Sequence, residues 1–349
     1  MDKNKLIDSF DPNSPGSPDA NIFGLPFDTS NANLVILPVP WDVTVSYANG
    51  TAKGPKAIFD ASFQVDLYDP LINDAWKMGI AMDEIDMKIW KRSKELRKVA
   101  ESYIDFIVSG KDVDKHKTMT KILKSVNQGS EWLNKQVRKK ATHYLLKGKS
   151  VALLGGDHST PLGLVAALSD FYPDFGILQI DAHADLRNAY EGFTYSHASI
   201  MYNILENQSV SKLVQVGIRD YCQEEVDLIQ KDSRIKTFFD KDIKHSQYEG
   251  KSWSKICDDI IAELPEKVYI SFDIDGLDPK YCPNTGTPVP GGFEFEQTLY
   301  LFEKVVKSGR KIISFDINEV APDKNNEWDA NVGARLLYRM ANILLYQHM

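Results

Sequence analysis

Three short segments hold the residues that could do chemistry. Asp157-His158-Ser159 closes the apolar run VALLGG, Asp181-Ala182-His183-Ala184-Asp185 closes GILQI, and Asp273-Ile274-Asp275 closes VYISF, with Gly276 and Asp278-Pro279 behind it. Seven His and Asp side chains therefore gather at the ends of strand-like runs. Residues i, i+2 and i+4 of a strand face one way. That alternation predicts that Asp181, His183 and Asp185 aim together, and so do Asp273 and Asp275. Carboxylates packed this densely without counter-charge repel one another and lose hydration. Bound divalent metal is the simplest remedy. Carboxylate with some imidazole and no thiolate suits Mn²⁺, and is compatible with Ni²⁺, Fe²⁺, Co²⁺ or Zn²⁺. A lone DxD is common in turns, and GGDHS alone could be a glycine turn with a helix cap. DAHAD is more specific, because three potential ligands in strict alternation rarely serve packing.

The elements that must position these residues are legible around them. After Gly148 the apolar runs VALLGG, FGILQIDAH, KLVQVGIR, RIKTFF, KVYISFDID and KIISFDINEV alternate with helical stretches. Fully apolar strands spaced by helices indicate a parallel sheet covered on both faces. Ligand sites in such sheets lie at the carboxyl ends of the strands. An earlier strand is expected at Leu34–Val39, followed by a Gly-punctuated loop and a helix with Pro55 in its first turn. From about Lys91 to Lys147 the period changes to 3.6, which reads as a lysine-rich helical pair beside the sheet. Residues 1–33 are rich in Pro, Asn, Ser and Asp and read as an irregular N-terminal arm lying over a surface. No composition break or repeat divides the rest of the chain, so residues 34–349 are expected to form one catalytic domain.

Composition narrows the class further. The 349 residues are 43% hydrophobic and 26% charged, as in ordinary globular proteins. No apolar run reaches the ~18–20 residues of a membrane-spanning helix, and MDKNKLIDSFDPNSPGSPDA has no apolar core to make a signal peptide. A net charge of −8, with no basic stretch interleaved with aromatics, argues against nucleic acid as a partner. Three cysteines, Cys222, Cys257 and Cys282, form no CxxC pair and fit a reducing cytoplasm. Gly148-Lys149-Ser150 does not make a P-loop, because His143 stands where its first glycine belongs.

The three segments resemble the metal motifs of the ureohydrolase family, the arginases, agmatinases and their relatives: GGDHS (155–159), DAHAD (181–185) and SFDIDGLDP (271–279). Ser196-His197, TGTPVPGG (285–292) and DINEVAP (316–322) extend the resemblance, which spans roughly residues 34–345. It implies a three-layer α/β/α fold with a mostly parallel central sheet, a homo-oligomer (trimer or hexamer), and two Mn²⁺ ions per subunit. By motif, His158, Asp181, Asp185 and Asp273 would hold one ion. His183, Asp181, Asp273 and Asp275 would hold the other. A metal-bridging hydroxide would attack the guanidinium carbon of a small guanidino substrate, releasing urea and an amine. Asp185 would also steady the hydroxide, Glu319 would grip the guanidinium, and His197 would carry the proton to the leaving amine.

The loop LRNAYEGFTYSHASIMYN resembles the agmatinase branch, with Arg187, Tyr190 and Glu191 where arginases place small hydroxyl and amide residues. Glu191 is the candidate to receive a cationic amine tail, which favours agmatine. Ala198 stands where many relatives have glycine and reshapes the expected pocket floor. Guanidinobutyrate, guanidinopropionate, free guanidine, arginine and formiminoglutamate remain alternatives on the same site. A deacetylase-like enzyme of similar fold would hold one zinc and needs neither His158 nor Asp275. A non-catalytic paralogue would tend to lose ligands, whereas the full set is present here.

Overall fold

The computed structural model describes residues 3–17 and 19–347. Met1, Asp2 and Pro18 of the span 1–33, and His348 and Met349 of the span 34–349, lie outside the described residues. Among the described residues eight strands pair into one sheet: β1 (Leu34–Val39), β2 (Ile80–Met82), β3 (Ser150–Gly155), β4 (Phe175–Ile180), β5 (Val210–Ile218), β6 (Ile235–Phe239), β7 (Lys267–Asp273) and β8 (Lys311–Asn318). Their order is β2-β1-β3-β8-β7-β4-β5-β6, and every pairing is parallel. The expected mostly parallel sheet is thus parallel throughout.

Successive strand residues point to opposite faces, and both faces are apolar. Ile36, Leu154, Ile180, Ile270 and Ile317 pack against the helices Gly54–Ser62, Trp253–Ala262, Phe295–Lys307 and Trp328–Tyr346. Val35, Leu153, Ile177 and Tyr269 pack against Met87–Val108, Lys117–Leu145, Leu162–Leu168 and Ile200–Leu205. This is the three-layer α/β/α arrangement, with the lysine-rich stretch forming the expected helical pair on one side.

The chain builds β1, β2 and β3 on one half of the sheet, then crosses to β4, β5 and β6 before returning to fill the gap with β7 and β8. Strands β3, β8, β7 and β4 are therefore neighbours, and their carboxyl ends flank the place where the winding reverses. A crevice opens at such a switch point. The DHS, DAHAD, DID and NEV segments all lie there.

Two features depart from the sequence expectation. Residues 1–33 are not a wholly irregular surface arm: Lys3–Ser9 is helical, and Ile22, Phe23, Leu25 and Phe27 are buried in the core. The side chain of Asn21 accepts from the Met82 amide at 2.8 Å and donates to the Met82 carbonyl at 3.2 Å, mimicking a strand neighbour for β2. Strand β2 itself, three residues at the sheet edge, has too short an apolar run to be read from pattern. No helix of the described residues is long and apolar enough to cross a membrane.

Candidate metal centre and substrate cavity

Strand alternation is not what gathers the DAHAD residues. Strand β4 ends at Ile180, and Asp181–Asp185 runs as an irregular turn in which Asp185 takes a left-handed φ of 53°. The turn closes through the His183 amide, which donates to Asp181 Oδ1 at 2.7 Å. Strand β7 likewise stops at Asp273, whose carboxylate accepts the Asp275 amide at 2.9 Å and starts a short helical turn, Ile274–Gly276. Both motifs leave the sheet at the residue where ligands begin. The glycines before His158 permit close packing there. A Cβ on Gly155 would lie 1.8 Å from Asn318 Oδ1, and one on Gly156 would lie 1.9 Å from the Trp41 carbonyl.

Two groups of potential ligand atoms converge: His158 with Asp181 and Asp185, and His183 with Asp181 and Asp275, each group within 4.8 Å. Asp181 belongs to both. His158 Nδ1 lies 3.0 Å from Asp181 Oδ2, 3.0 Å from Asp185 Oδ2 and 3.3 Å from Asp273 Oδ2. His183 Nδ1 lies 3.1 Å from Asp275 Oδ2 and 3.6 Å from Asp181 Oδ1. All six sequence-predicted ligand residues are thus brought together. His158 Nδ1 is buried with no hydrogen-bond partner among the described residues. Buried carboxylates around an unpartnered imidazole nitrogen fit divalent cations, as this donor set suggests. Asp157, the seventh residue, points elsewhere: its Oδ1 accepts the Ser159 amide at 3.0 Å and holds the turn.

Without a cation the cluster can balance itself only with protons. Burial pushes the Asp185 carboxyl up to about 7, with Asp181 adding repulsion. Burial and the charges of Asp275 and Asp181 push Asp273 well above the carboxylate range. Burial also works against charge on His158, but Asp181, Asp185 and Asp273 outweigh it and hold the imidazole well above its usual value.

A second layer, only partly visible in the sequence, fixes these groups. His158 Nε2 lies 2.9 Å from Ser271 Oγ, and Ser271 donates to Asp316 Oδ1 at 3.2 Å. Tyr269 and Asn318 donate to the same Asp316 carboxylate. With Nε2–H committed to Ser271, loss of the Nδ1 proton to an incoming cation would leave that nitrogen's lone pair facing the acidic cluster, the tautomer a metal ligand needs. Gln179, one amide in an otherwise apolar strand, donates to Asp181 Oδ2 at 2.8 Å and accepts from Gln215 at 2.7 Å. A buried polar residue in an apolar run is the signal that marks Gln179 beforehand.

Glu319 follows the last residue of β8 with a left-handed φ of 64°. Its Oε1 accepts the His158 amide at 2.8 Å, while its Oε2 is buried with no hydrogen-bond partner among the described residues. Thr285, in the TGTPVPGG segment, donates to the Glu319 carbonyl at 2.8 Å. His197 begins a short helical turn, its amide held by Thr44 Oγ1 at 3.2 Å. Burial, with His183 and His158 nearby, pulls its imidazole down to about 4. His158, His183, Asp185, Asp273, His197 and Glu319 line a cavity of about 160 Å³, together with Arg187, Tyr190, Ala198, Asp220, Glu225 and Thr287. Glu191 is not brought into that lining. It lies in the adjacent turn, with Oε2 buried and the Tyr103 hydroxyl on its carbonyl at 3.0 Å.

Fold and site together define a three-layer α/β/α protein with a parallel sheet, built around a candidate two-metal centre. Residues 32–342 match the model of the Arginase family, and the chain belongs to that family. It is a ureohydrolase, an enzyme acting on amidino substrates. Relatives include the N(1)-aminopropylagmatine ureohydrolase of Thermus thermophilus, 32% identical over 88% of each chain. The agmatinase of Pyrococcus horikoshii is 27% identical over 89% of this chain and 92% of its own. The agmatine ureohydrolase structure of Thermoplasma volcanium superposes with a TM-score of 0.69 at 23% identity, covering 99% of this chain and 98% of that one.

Proposed function

We propose that this chain hydrolyses a guanidino compound with a cationic tail, agmatine or its N(1)-aminopropyl derivative, to urea and an amine. The observation that carries the reading is the free Oε2 of Glu319, buried beside two ligand groups that share Asp181. His158, Asp181, Asp185 and Asp273 would hold one divalent ion, and His183, Asp181, Asp273 and Asp275 the other, with Mn²⁺ best suited to the donor set. Such a pair lowers the pKa of water toward neutrality and supplies the nucleophile.

The protein's own groups do the rest. Glu319 is anchored through Oε1 and offers Oε2 to a guanidinium, a planar cation that matches carboxylate geometry. That contact fixes the guanidinium carbon in the cavity beside the ligand cluster. His197, held neutral by burial, first accepts the proton released when water adds to that carbon. It then returns the proton to the amine nitrogen as the C–N bond breaks.

The tail preference rests on charge at the cavity rim. Arg187 is offset: its Cζ lies 4.8 Å from the Tyr190 ring centroid, and its Nε lies 3.9 Å from Glu225 Oε2. Asp220, its side chain 69% exposed, forms no ion pair with lysine or arginine among the described residues, and its nearest basic atom is His183 Nε2 at 3.9 Å. A cavity carboxylate with no lysine or arginine partner favours an ammonium-bearing tail over a carboxylate-bearing one, and Asp220, which lines the cavity, is better placed for this than Glu191.

A urea-release screen tests the reading, with Mn²⁺ and Ni²⁺ each added. Agmatine, N(1)-aminopropylagmatine, guanidinobutyrate, guanidinopropionate, arginine and guanidine form the panel, with formiminoglutamate read by formamide release. The highest kcat/KM is expected on the two amine-tailed substrates. Preference for guanidinobutyrate would make Arg187 the tail reader, and no turnover of any compound would overturn the assignment.

A further inference from the structure

The helix Met87–Val108, from the lysine-rich pair, meets the segment 42–45 through a largely buried side chain. Arg97, its side chain 12% exposed, donates from Nη1 to the carbonyl of Val43 at 3.3 Å and to the carbonyl of Val45. The two acceptors bracket Thr44, which is wholly buried. Thr44 Oγ1 accepts the His197 amide at 3.2 Å and lies 3.5 Å from Asp157 Oδ2. One turn earlier on the same helix, Ser93 exchanges hydrogen bonds with the backbone and carboxylate of Asp42, at 3.3 and 3.4 Å. The segment 42–45 is therefore fastened at two points to one helix face.

We infer that Arg97 is a positioning residue for His197, acting through Thr44. A guanidinium offers several donors in one rigid plane, so it can hold two carbonyls at once and set the peptide units on either side of Thr44. That orients the hydroxyl which fixes the His197 backbone at the start of its turn. The Nε of Arg97 is itself steadied by Glu101 Oε1 at 3.0 Å, and Asn49 donates to the same oxygen at 3.2 Å. Arg97 is also a cation facing the partly buried Glu191. The turn that precedes His197 is tied to the same helical pair: Tyr103 donates to the Glu191 carbonyl at 3.0 Å, and Asn127 bonds the Gly192 carbonyl at 3.1 Å and the Thr194 amide at 3.0 Å. The lysine-rich pair thus holds both the segment that bonds the His197 amide and the turn that leads into His197.

A double-mutant cycle between Arg97→Ala and Thr44→Val tests this, read first by hydrogen exchange of the His197 amide and then by turnover. Each single variant should speed exchange at His197 by roughly tenfold or more, since each removes the protection of that bond. The double variant should exchange no faster than Thr44→Val alone. In turnover, each should lower kcat by roughly 10–100-fold, the scale of a small misplacement of a catalytic group. KM should stay within about threefold, metal content should stay at the wild-type level, and the double variant should match the worse single within about threefold. Unchanged exchange at His197 in Arg97→Ala, or effects that simply multiply, would overturn the inference. Should Arg97→Ala fail to fold, Arg97→Lys replaces it. Lysine keeps a cation beside Glu101 and Glu191 but lacks the planar fork, so intermediate exchange is expected. The inference rests on reading His197 as the proton carrier, but amide exchange decides it even if no substrate in the panel releases urea.

Discussion

Glu319 and His158 are joined across adjacent strands: Glu319 Oε1 accepts the His158 backbone amide at 2.8 Å. One hydrogen bond thus ties the carboxylate that faces the cavity to a residue of the ligand cluster. It also divides the labour of that carboxylate, because one oxygen is spent on structure and the other is left for the substrate. Burial, with the charges of Asp273 and Asp157, pushes the Glu319 carboxyl well above its usual range. Divalent cations beside it, or a guanidinium against it, would restore its charge.

Glu319→Gln should keep the fold, because the amide oxygen can still accept from His158. It removes the negative charge offered to the guanidinium, an interaction worth about 1.5–3 kcal/mol for a charged hydrogen bond. The expected result is a loss of roughly 10–100-fold in kcat/KM on every guanidino substrate, with wild-type metal content. Loss confined to one substrate would mean that Glu319 reads the tail instead.

The metal-free protein should lose stability as pH rises. Asp185 has its folded pKa raised to about 7. Between the usual carboxyl value and about 7 the folded state therefore holds more protons than the unfolded one, and unfolding becomes easier as pH increases. His158 and His183, both raised, act in the same direction: their stabilising protons are present below the usual imidazole value and lost as pH climbs through the raised one. Mn²⁺ replaces those protons with fixed charge. The gain in thermal midpoint on adding Mn²⁺ to chelator-treated protein should therefore be larger at pH 8 than at pH 5. Calorimetry at the two pH values checks it, and an equal gain would argue against cation binding at these residues.

The central strands were legible because they are apolar on both faces, whereas the three-residue edge strand β2 was not; the ligand residues were legible because charge at the end of an apolar run has no packing role. The aim of the ligands was less legible. Alternation along DAHAD predicts a shared direction for Asp181, His183 and Asp185, yet the strand has ended by Asp181 and the left-handed backbone at Asp185 does the turning. Glu319 departs from strand geometry in the same way. Residues that act from a distance in sequence were hidden for a different reason. Arg97 is one cation among many on a basic helix, and only the folded chain shows it buried against Val43 and Val45. Asn21, buttressing the edge of β2, is equally silent in a polar arm.

His197→Ala should lower kcat by roughly 10²–10⁴-fold, the usual contribution of a positioned acid–base group. Metal content should not change, because His197 belongs to neither ligand group. With its imidazole held near 4, the residue is neutral across the physiological range. No activity limb from its ionisation is then expected between pH 6 and 8. A pH–rate profile of wild-type enzyme checks that, and loss of metal in the variant would make His197 a ligand.

The anchor beneath His158 supports the last prediction. Ser271 sits between His158 Nε2, at 2.9 Å, and Asp316 Oδ1, at 3.2 Å, and Asp316 also receives the Tyr269 hydroxyl. The carboxylate orients the serine hydroxyl, which in turn accepts Nε2–H and leaves Nδ1 facing Asp181, Asp185 and Asp273. Outer partners of this kind typically contribute 10–100-fold in metal affinity. Asp316→Asn keeps the shape but replaces one acceptor oxygen with an NH₂ group, so the Ser271 hydroxyl loses its preferred direction. Metal affinity should fall by roughly that factor, while kcat measured at saturating Mn²⁺ changes only a few-fold. Burial pushes Asp316 up to about 6, so protonation imitates the substitution. The affinity gap between wild type and variant should accordingly narrow as pH falls below about 6. Metal titration by calorimetry at pH 8 and pH 5.5 separates the outcomes. A gap that stays constant would show that the Asp316 charge does not reach the ligand, and a collapse of kcat at saturating metal would place Asp316 in the chemistry itself.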